Sequence, residues 1–548
     1  MAGMGRIISD IIVLLPWPYG IVGLAGVIGA SRPDRVKKLA RGASILSLVS
    51  AVAATATYSV AILFLHDGRL LVSQPRGIAS ITDINWLTLI MMVLVSFVGL
   101  VVTRYTDTYM KGDAHEGRFH QWLSLTVGSF LGMIASANMW IFFVFWVATS
   151  LSFHQLLAFY PERAQALLTA RKKFLVDRMA DISLFAALGL IAHTLHSSQF
   201  PRVAHELAHI HGDLPLTLQM ASGFLVLSAL LKSAQIPFHG WLIQVMESPT
   251  PVSAVLHAGI IYTGALVLLR MVPLWSREMW TGDVLILTGL LSIVVGSLMM
   301  MAATTIKRSL AYSTNAQMGF VLVECGLGLY SLAVLHIGSH AVYKAHAFLS
   351  SGGVVEHFRV PKVSLGARGA TLPRALGSLV LATAIVMATG GVLGIPGLPV
   401  PFIIMGAILT VALTQWLLLV VQDKSLRIST FLGLVVGFSI IVSLAYWGLD
   451  ELATAVLGGM WPHALSESVG PVREALWGLI IVAFMGLLVL QQNMSRLLRY
   501  RWGWALYMFL YNDYIDMVLT QWVHRLWGRY RHNVSHVPQT KKRMEEMS

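Results

Sequence analysis

Residues 232–257 read KSAQIPFHGWLIQVMESPTPVSAVLH, between SGFLVLSALL (222–231) and AGIIYTGALVLL (258–269). Both flanks are apolar enough to lie in lipid, yet the stretch opens on a lysine. A charged side chain at membrane depth costs at least ~2.5 kcal/mol on the mildest scale, so Lys232 needs a function or a buried partner. Five residues on, Pro237 removes one backbone hydrogen bond and displaces the carbonyl of Ser233. An opened turn at that depth is tolerated only against protein or a water-filled cavity. A lysine beside a broken helix therefore predicts a polar hole in a membrane bundle. The competing reading is a helix end whose lysine snorkels to the lipid surface.

Composition sets the class. The chain has 548 residues, 56% apolar and 12% charged, whereas soluble domains carry about 25% charged residues. About fifteen apolar runs approach the ~20 residues a spanning helix needs, and the first can insert without a cleaved leader. Numbering the loops between those runs, the odd-numbered loops carry 21 lysines and arginines and the other side 7. The positive-inside rule then puts the N-terminus outside and the C-terminal tail in the cytoplasm. The net charge of +13 thus follows membrane topology, and no nucleic-acid partner is expected. One cysteine, Cys325, excludes disulfides and cysteine metal cages within the chain. No CxxCH or GxGxxG motif occurs, and no cofactor is expected.

Three further segments carry chemistry. His336, His340 and Lys344 fall at i, i+4 and i+8, which stacks them over about 12 Å of one helical face. A proton relay needs groups that exchange protons near neutrality and that water can link; imidazole starts near pKa ~6.5. The alternative is a set of polar core residues satisfied by neighbouring helices. His257 follows Pro249 and Pro251, which fix a helix entry. Lys307 opens a helix in which Glu324 lies roughly 25 Å deeper, near the far surface, where a solvated carboxylate is the plain reading. HELAH (His205–His209) matches the zinc-protease pattern, but its loop is short and offers no obvious third ligand, so no metal site is expected.

KSAQIPFHGWL with ESPTPVSAVLHAG, IKRSLAYSTNAQMGF (306–320) and HIGSHAVYKAHAFLSSG (336–352) resembles the signature of proton-conducting antiporter-like membrane subunits. These include subunit 5 of respiratory complex I, subunits of multisubunit cation/proton antiporters, and the DabB subunits of bacterial inorganic-carbon pumps. The resemblance implies an all-α polytopic bundle with two inverted five-helix repeats, each with a broken helix at Pro237 or Pro396. Expected divisions are 1–118, repeats at 119–273 and 281–421, further spans at 422–495, and an interfacial helix with a basic tail at 496–548. It implies a proton path through Lys232, His257, Lys307, His336, His340 and Lys344.

Two departures stand out. Complex I relatives place a glutamate after the tryptophan of FFVFWVATSLSFHQLLAFY (142–160); here Trp146 is followed by Val147. Asp181, Glu247 and Glu324 are candidate counter-charges, Asp181 with the alternative of a surface carboxylate at a helix start. Without one of them, Lys232 is left with less counter-charge than in relatives. Second, no charged residue occurs between Ala375 and Gln422, where relatives carry an outlet charge. With no room for a long lateral helix, the pattern is most similar to DabB subunits. The implied function is proton conduction for an inorganic-carbon (CO2 or bicarbonate) uptake complex in the bacterial inner membrane, with chemistry on a large zinc-binding DabA-like partner. A cation/proton antiporter or respiratory subunit is the alternative.

Overall fold

The computed structural model describes the chain except residues 1–7, 9, 13, 29–32, 66–80, 352–371, 393–399, 422–432, 434–435, 462–469, 498–499, 513–515 and 528–548. Pro396 and Asp513 lie outside the described residues, as do the loop cations Arg359, Lys362, Arg368, Lys424 and Arg427. The helices are α1 (Trp17–Ile28), α2 (Pro33–Leu65), α3 (Trp86–Tyr109), α4 (Glu116–Ala135), α5 (Met139–Leu157), α6 (Ala164–Leu195) and α7 (Phe200–His209). There follow α8 (Leu216–Lys232), α9 (Gly240–Gln244), α10 (Thr250–Ala258), α11 (Thr263–Arg270), α12 (Val272–Trp275), α13 (Met279–Ala302), α14 (Ile306–Gly326) and α15 (Tyr330–Ser350). The chain continues through α16 (Leu372–Val392), α17 (Val400–Val421), α18 (Gly437–Leu457), α19 (Pro471–Leu497), α20 (Arg501–Asn512) and α21 (Met517–Trp527). Among the described residues there is no extended strand, only isolated bridges such as Asn138 to Gln199. The protein is an all-α multi-pass membrane bundle.

Nine helices among the described residues are long and apolar enough to cross a bilayer, against about fifteen runs read from the sequence. The difference has a physical source. Helices α6, α14 and α15 have spanning length, at 32, 21 and 21 residues, but carry the polar groups of the site. The segment Thr250–Arg270 is 100% buried and lies at the centre of the bundle. Helices α13 and α14 approach so closely that a Cβ on Gly289 would stand 2.4 Å from the carbonyl oxygen of Gly319. Only glycine permits that contact, the small-residue route to helix packing in lipid.

The break after Lys232 is held from the second half of the chain. Ala234 adopts φ 52°, a left-handed conformation that costs a side-chain-bearing residue roughly 1–3 kcal/mol. Its carbonyl accepts a hydrogen bond from Asn315 Nδ2 of α14 at 2.7 Å. The Ile236 amide donates to Ser292 Oγ of α13 at 3.2 Å, and Gln235 Nε2 donates to the freed Ser233 carbonyl at 2.9 Å. The opened turn thus keeps its backbone paired against protein, as a non-helical segment in a membrane must.

Candidate functional site

Lys232 is the last residue of α8 and 5% exposed. Its Nζ stands 3.1 Å from Asp177 Oδ1 and 3.7 Å from Asp181 Oδ1, and 4.8 Å above the Trp146 ring. Asp177 is the hub. Its other oxygen pairs with Lys173 and accepts a hydrogen bond from Ser150 Oγ at 2.7 Å. Asp181 accepts from Trp146 Nε1 at 2.7 Å and pairs with Arg178 at 2.6 Å. Lys173, Asp177 and Asp181 are all buried. Burying such charges is tolerable only when each is paired and hydrogen-bonded.

This arrangement revises the expectation at Val147. Val147 is partly buried and packs against the apolar core, but Lys232 is not short of counter-charge, because α6 supplies two carboxylates. Asp181 is buried in the cluster rather than solvated at a helix start. Glu247 is exposed, and its recorded contact is its backbone carbonyl, which accepts from Arg163 at 3.3 Å. Asp177 went unrecognised in the sequence although the signal was there. Lys173, Asp177 and Asp181 fall at i, i+4 and i+8, the spacing that revealed the histidine face of α15. Lys172 and Lys173, counted above as loop cations, lie 0% and 2% exposed inside α6.

Lys172 pairs with Asp516, which also accepts from Gln244 Nε2 at 2.9 Å. A Cβ on Gly240 would meet the Asp516 carboxylate, so the start of α9 has room for that carboxylate only because residue 240 is glycine. The tail therefore contributes a buried carboxylate beside the broken helix, while Trp502, Trp504 and Trp522 on α20 and α21 stay exposed, in keeping with an interfacial tail.

From the break, polar groups continue through the core. His257 is fully buried with its ring stacked on Phe348 of α15, centroids 4.3 Å apart. The Tyr262 hydroxyl lies 3.1 Å from the His257 carbonyl and 2.7 Å from His340 Nδ1. Tyr262 was not foreseen; a lone tyrosine in an apolar run carries no spacing signal. The His340 and His336 rings are 6.3 Å apart. Lys344 Nζ donates to the Leu310 carbonyl at 3.2 Å and to Ser313 Oγ, and among the described residues no carboxylate pairs with it. Lys307 Nζ donates to Thr250 Oγ1 at 3.1 Å, touching the start of the helix that carries His257.

Glu324, read as a solvated helix end, is instead 2% exposed, with both oxygens 3.1 Å from His336 Nδ1. His205 and His209 of HELAH share one exposed face of α7 with ring centroids 4.3 Å apart. Among the described residues no three His, Cys, Asp or Glu side chains converge as metal ligands.

A family model described as "NADH:quinone oxidoreductase/Mrp antiporter, TM" matches residues 136–433, more than half of the chain. The chain belongs to this family. A second model, "NADH-Ubiquinone oxidoreductase (complex I), chain 5 N-terminus", matches residues 81–120. A family relative named "Probable inorganic carbon transporter subunit DabB2", from Halothiobacillus neapolitanus, is 44% identical over 56% of this chain and 56% of its own length. The similarly named DabB of Hydrogenovibrio crunogenus is 34% identical over 81% of this chain and 82% of its own. The chloroplastic NAD(P)H-quinone oxidoreductase subunit 5 of Ranunculus macranthus is 34% identical over 50% of this chain, and the match spans 37% of that relative. Thus the matched region spans little more than half of the first relative and about a third of the last. The Mrp complex structure from Dietzia shares the fold, with TM-score 0.60 and 19% identity over 99% of this chain and 61% of its own. The chain is an antiporter-like membrane subunit similar to DabB proteins.

Proposed function

We propose that this chain is the proton-conducting membrane subunit of an energy-coupled inorganic-carbon uptake complex. The observation that carries the reading is Lys232, buried at a helix break and 3.1 Å from Asp177. A lysine held by a shared carboxylate can exchange its proton when the pair separates, whereas a fixed structural cation needs no broken helix beside it. Lys232 takes the proton, His257 and Tyr262 link it to the second half, and His340, His336 and Lys344 continue the path. Lys307 supplies a cation where α14 begins. The membrane is the bacterial inner membrane, with the N-terminus periplasmic and the tail cytoplasmic. Lys37, Arg41, Lys172 and Lys307 then fall on the cytoplasmic side.

The inorganic-carbon assignment follows the names of the DabB relatives and places the hydration chemistry on a large zinc-binding DabA-type partner. The catalytic step is not on this chain. Purification of the tagged chain in mild detergent, followed by mass spectrometry, tests the partner. A large Cys/Asp/His/Cys zinc protein supports the assignment, and a set of quinone-oxidoreductase subunits overturns it. Labelled-bicarbonate uptake in cells that depend on the complex tests the energy source. A protonophore abolishes uptake on this reading; persistence under protonophore with loss on sodium removal overturns it.

A further inference from the structure

We propose that Glu324 and Asp450 form the proton port of the second half, joining the histidine column of α15 to water on the face where α14 ends and α15 begins. The proposal rests on the proton-conduction reading above and assigns a part that reading leaves open. The polar column on α15 must reach solvent somewhere. Helices α16 and α17 offer it no carrier, because beyond Arg374 in the first turn of α16, whose guanidinium stays protonated, residues 375–422 hold no charge.

The antiparallel pair α14 and α15 fixes the direction. Lys344 contacts Leu310 and Ser313 near the start of α14, and His336 contacts Glu324 near its end. Glu324 lies eleven residues beyond Ser313, about 16 Å along the helix. Lys344, His340 and His336 therefore climb toward Glu324 one turn at a time. His340 Nε2 is buried and has no hydrogen-bond partner among the described residues. A buried polar atom of this kind calls for an explanation, and a site that gains and loses protons is one.

The pairing at Glu324 differs in kind from its neighbour. At the same end of the bundle Arg473 is 4% exposed and pairs with Asp283 at 3.1 Å. A guanidinium does not release its proton, so that pair is a fixed clamp. Glu324 faces an imidazole instead. His336 Nε2 is held by Gln317 Oε1 at 2.7 Å, which orients Nδ1 toward the carboxylate. Both members of this pair can gain and lose a proton.

Asp450 supplies the next step. It sits on α18, which packs against α15, and is 6% exposed. Tyr446, one turn earlier on α18, packs against the apolar cluster that includes Val323, the neighbour of Glu324. Seven residues on, α18 ends, and Trp461 beyond it donates to the Leu269 carbonyl and packs on Tyr330, the first residue of α15. Asp450 is therefore about 10 Å from the face at which α15 begins, and Glu451 beside it is exposed. In outward transfer, the proton on His336 Nδ1 moves to a Glu324 oxygen, leaving neutral imidazole and a neutral carboxyl group. Glu324 then passes it to Asp450, its carboxylate re-forms, and Asp450 releases the proton to water. Inward transfer is the reverse.

The test is proton flux into vesicles holding the intact complex, read with a pH-sensitive dye, for Glu324→Gln, Glu324→Asp, Asp450→Asn and Lys232→Met at matched abundance. Glu324→Gln keeps an acceptor for His336 but cannot carry a proton. A positioned proton-transfer group is worth about 10²–10⁴ in rate, so Glu324→Gln is expected to lose on the order of tenfold or more, with Glu324→Asp retaining most of the flux. Asp450→Asn, which leaves the His336 pair intact, is expected to slow flux as well. Wild-type flux in Glu324→Gln with none in Lys232→Met overturns the port and leaves the proton reading standing. Equal loss in Glu324→Gln and Glu324→Asp indicates packing and also overturns the port. Wild-type flux in Lys232→Met overturns the conduction reading on which the port depends.

Discussion

Asp177 Oδ1 lies 3.1 Å from Lys232 Nζ, while the other oxygen of the same carboxylate pairs with Lys173. One carboxylate on α6 thus holds two buried lysines from different helices. Removing it leaves Lys173 without its carboxylate and Lys232 with only Asp181 at 3.7 Å, and breaking a buried pair costs about 3–5 kcal/mol. Asp177→Asn is therefore expected to lower thermal stability in detergent and to abolish proton flux. Val147 and Ser150 lie three residues apart on α5, and Ser150 touches Asp177, so a carboxylate at 147 is within a turn of the same spot. Val147→Glu in the Asp177→Asn background is expected to recover stability and part of the flux. A stable, fully conducting Asp177→Asn single variant contradicts the hub role.

Tyr262→Phe tests the link between the halves. The substitution removes the hydroxyl between the His257 carbonyl and His340 Nδ1 and keeps the ring. Leaving a buried imidazole nitrogen unpaired costs about 1–3 kcal/mol. Flux should fall severalfold with only a modest drop in melting temperature. Unchanged flux places the connection elsewhere.

Much of this was legible in the sequence. Lys232, Pro237 and the apolar flanks announced a broken membrane helix, and the i, i+4, i+8 set on α15 announced a polar face. The same periodicity on α6 was hidden because the segment RKKFLVDR reads as a cytoplasmic loop by charge alone. Its burial depends on long-range partners, Asp516 from 344 positions away and Lys232 from 55, which no local window contains. Glu324 misled for a related reason. Helix length put it in the last turn of α14, but only the return of α15 decides that His336 covers it.

The break itself has a stability prediction. Asn315→Leu deprives the left-handed Ala234 of the hydrogen bond to its carbonyl, at about 1–3 kcal/mol. The variant should melt earlier in detergent and conduct poorly even though it bears no charge change. Wild-type melting would show that the break is held without α14.

If protons pass through Lys232, removing its titratable amine stops transport. Lys232→Met replaces a buried charge with a neutral chain that is cheaper to bury in the membrane, so the chain should still insert and hold its partner. Lys232→Arg should fail as well, because guanidinium stays protonated. The measurement is labelled-bicarbonate uptake by cells that depend on the complex, with membrane abundance quantified in parallel. Lys232→Met is expected to show background uptake at wild-type abundance. Near-normal uptake by that variant would contradict proton passage through Lys232.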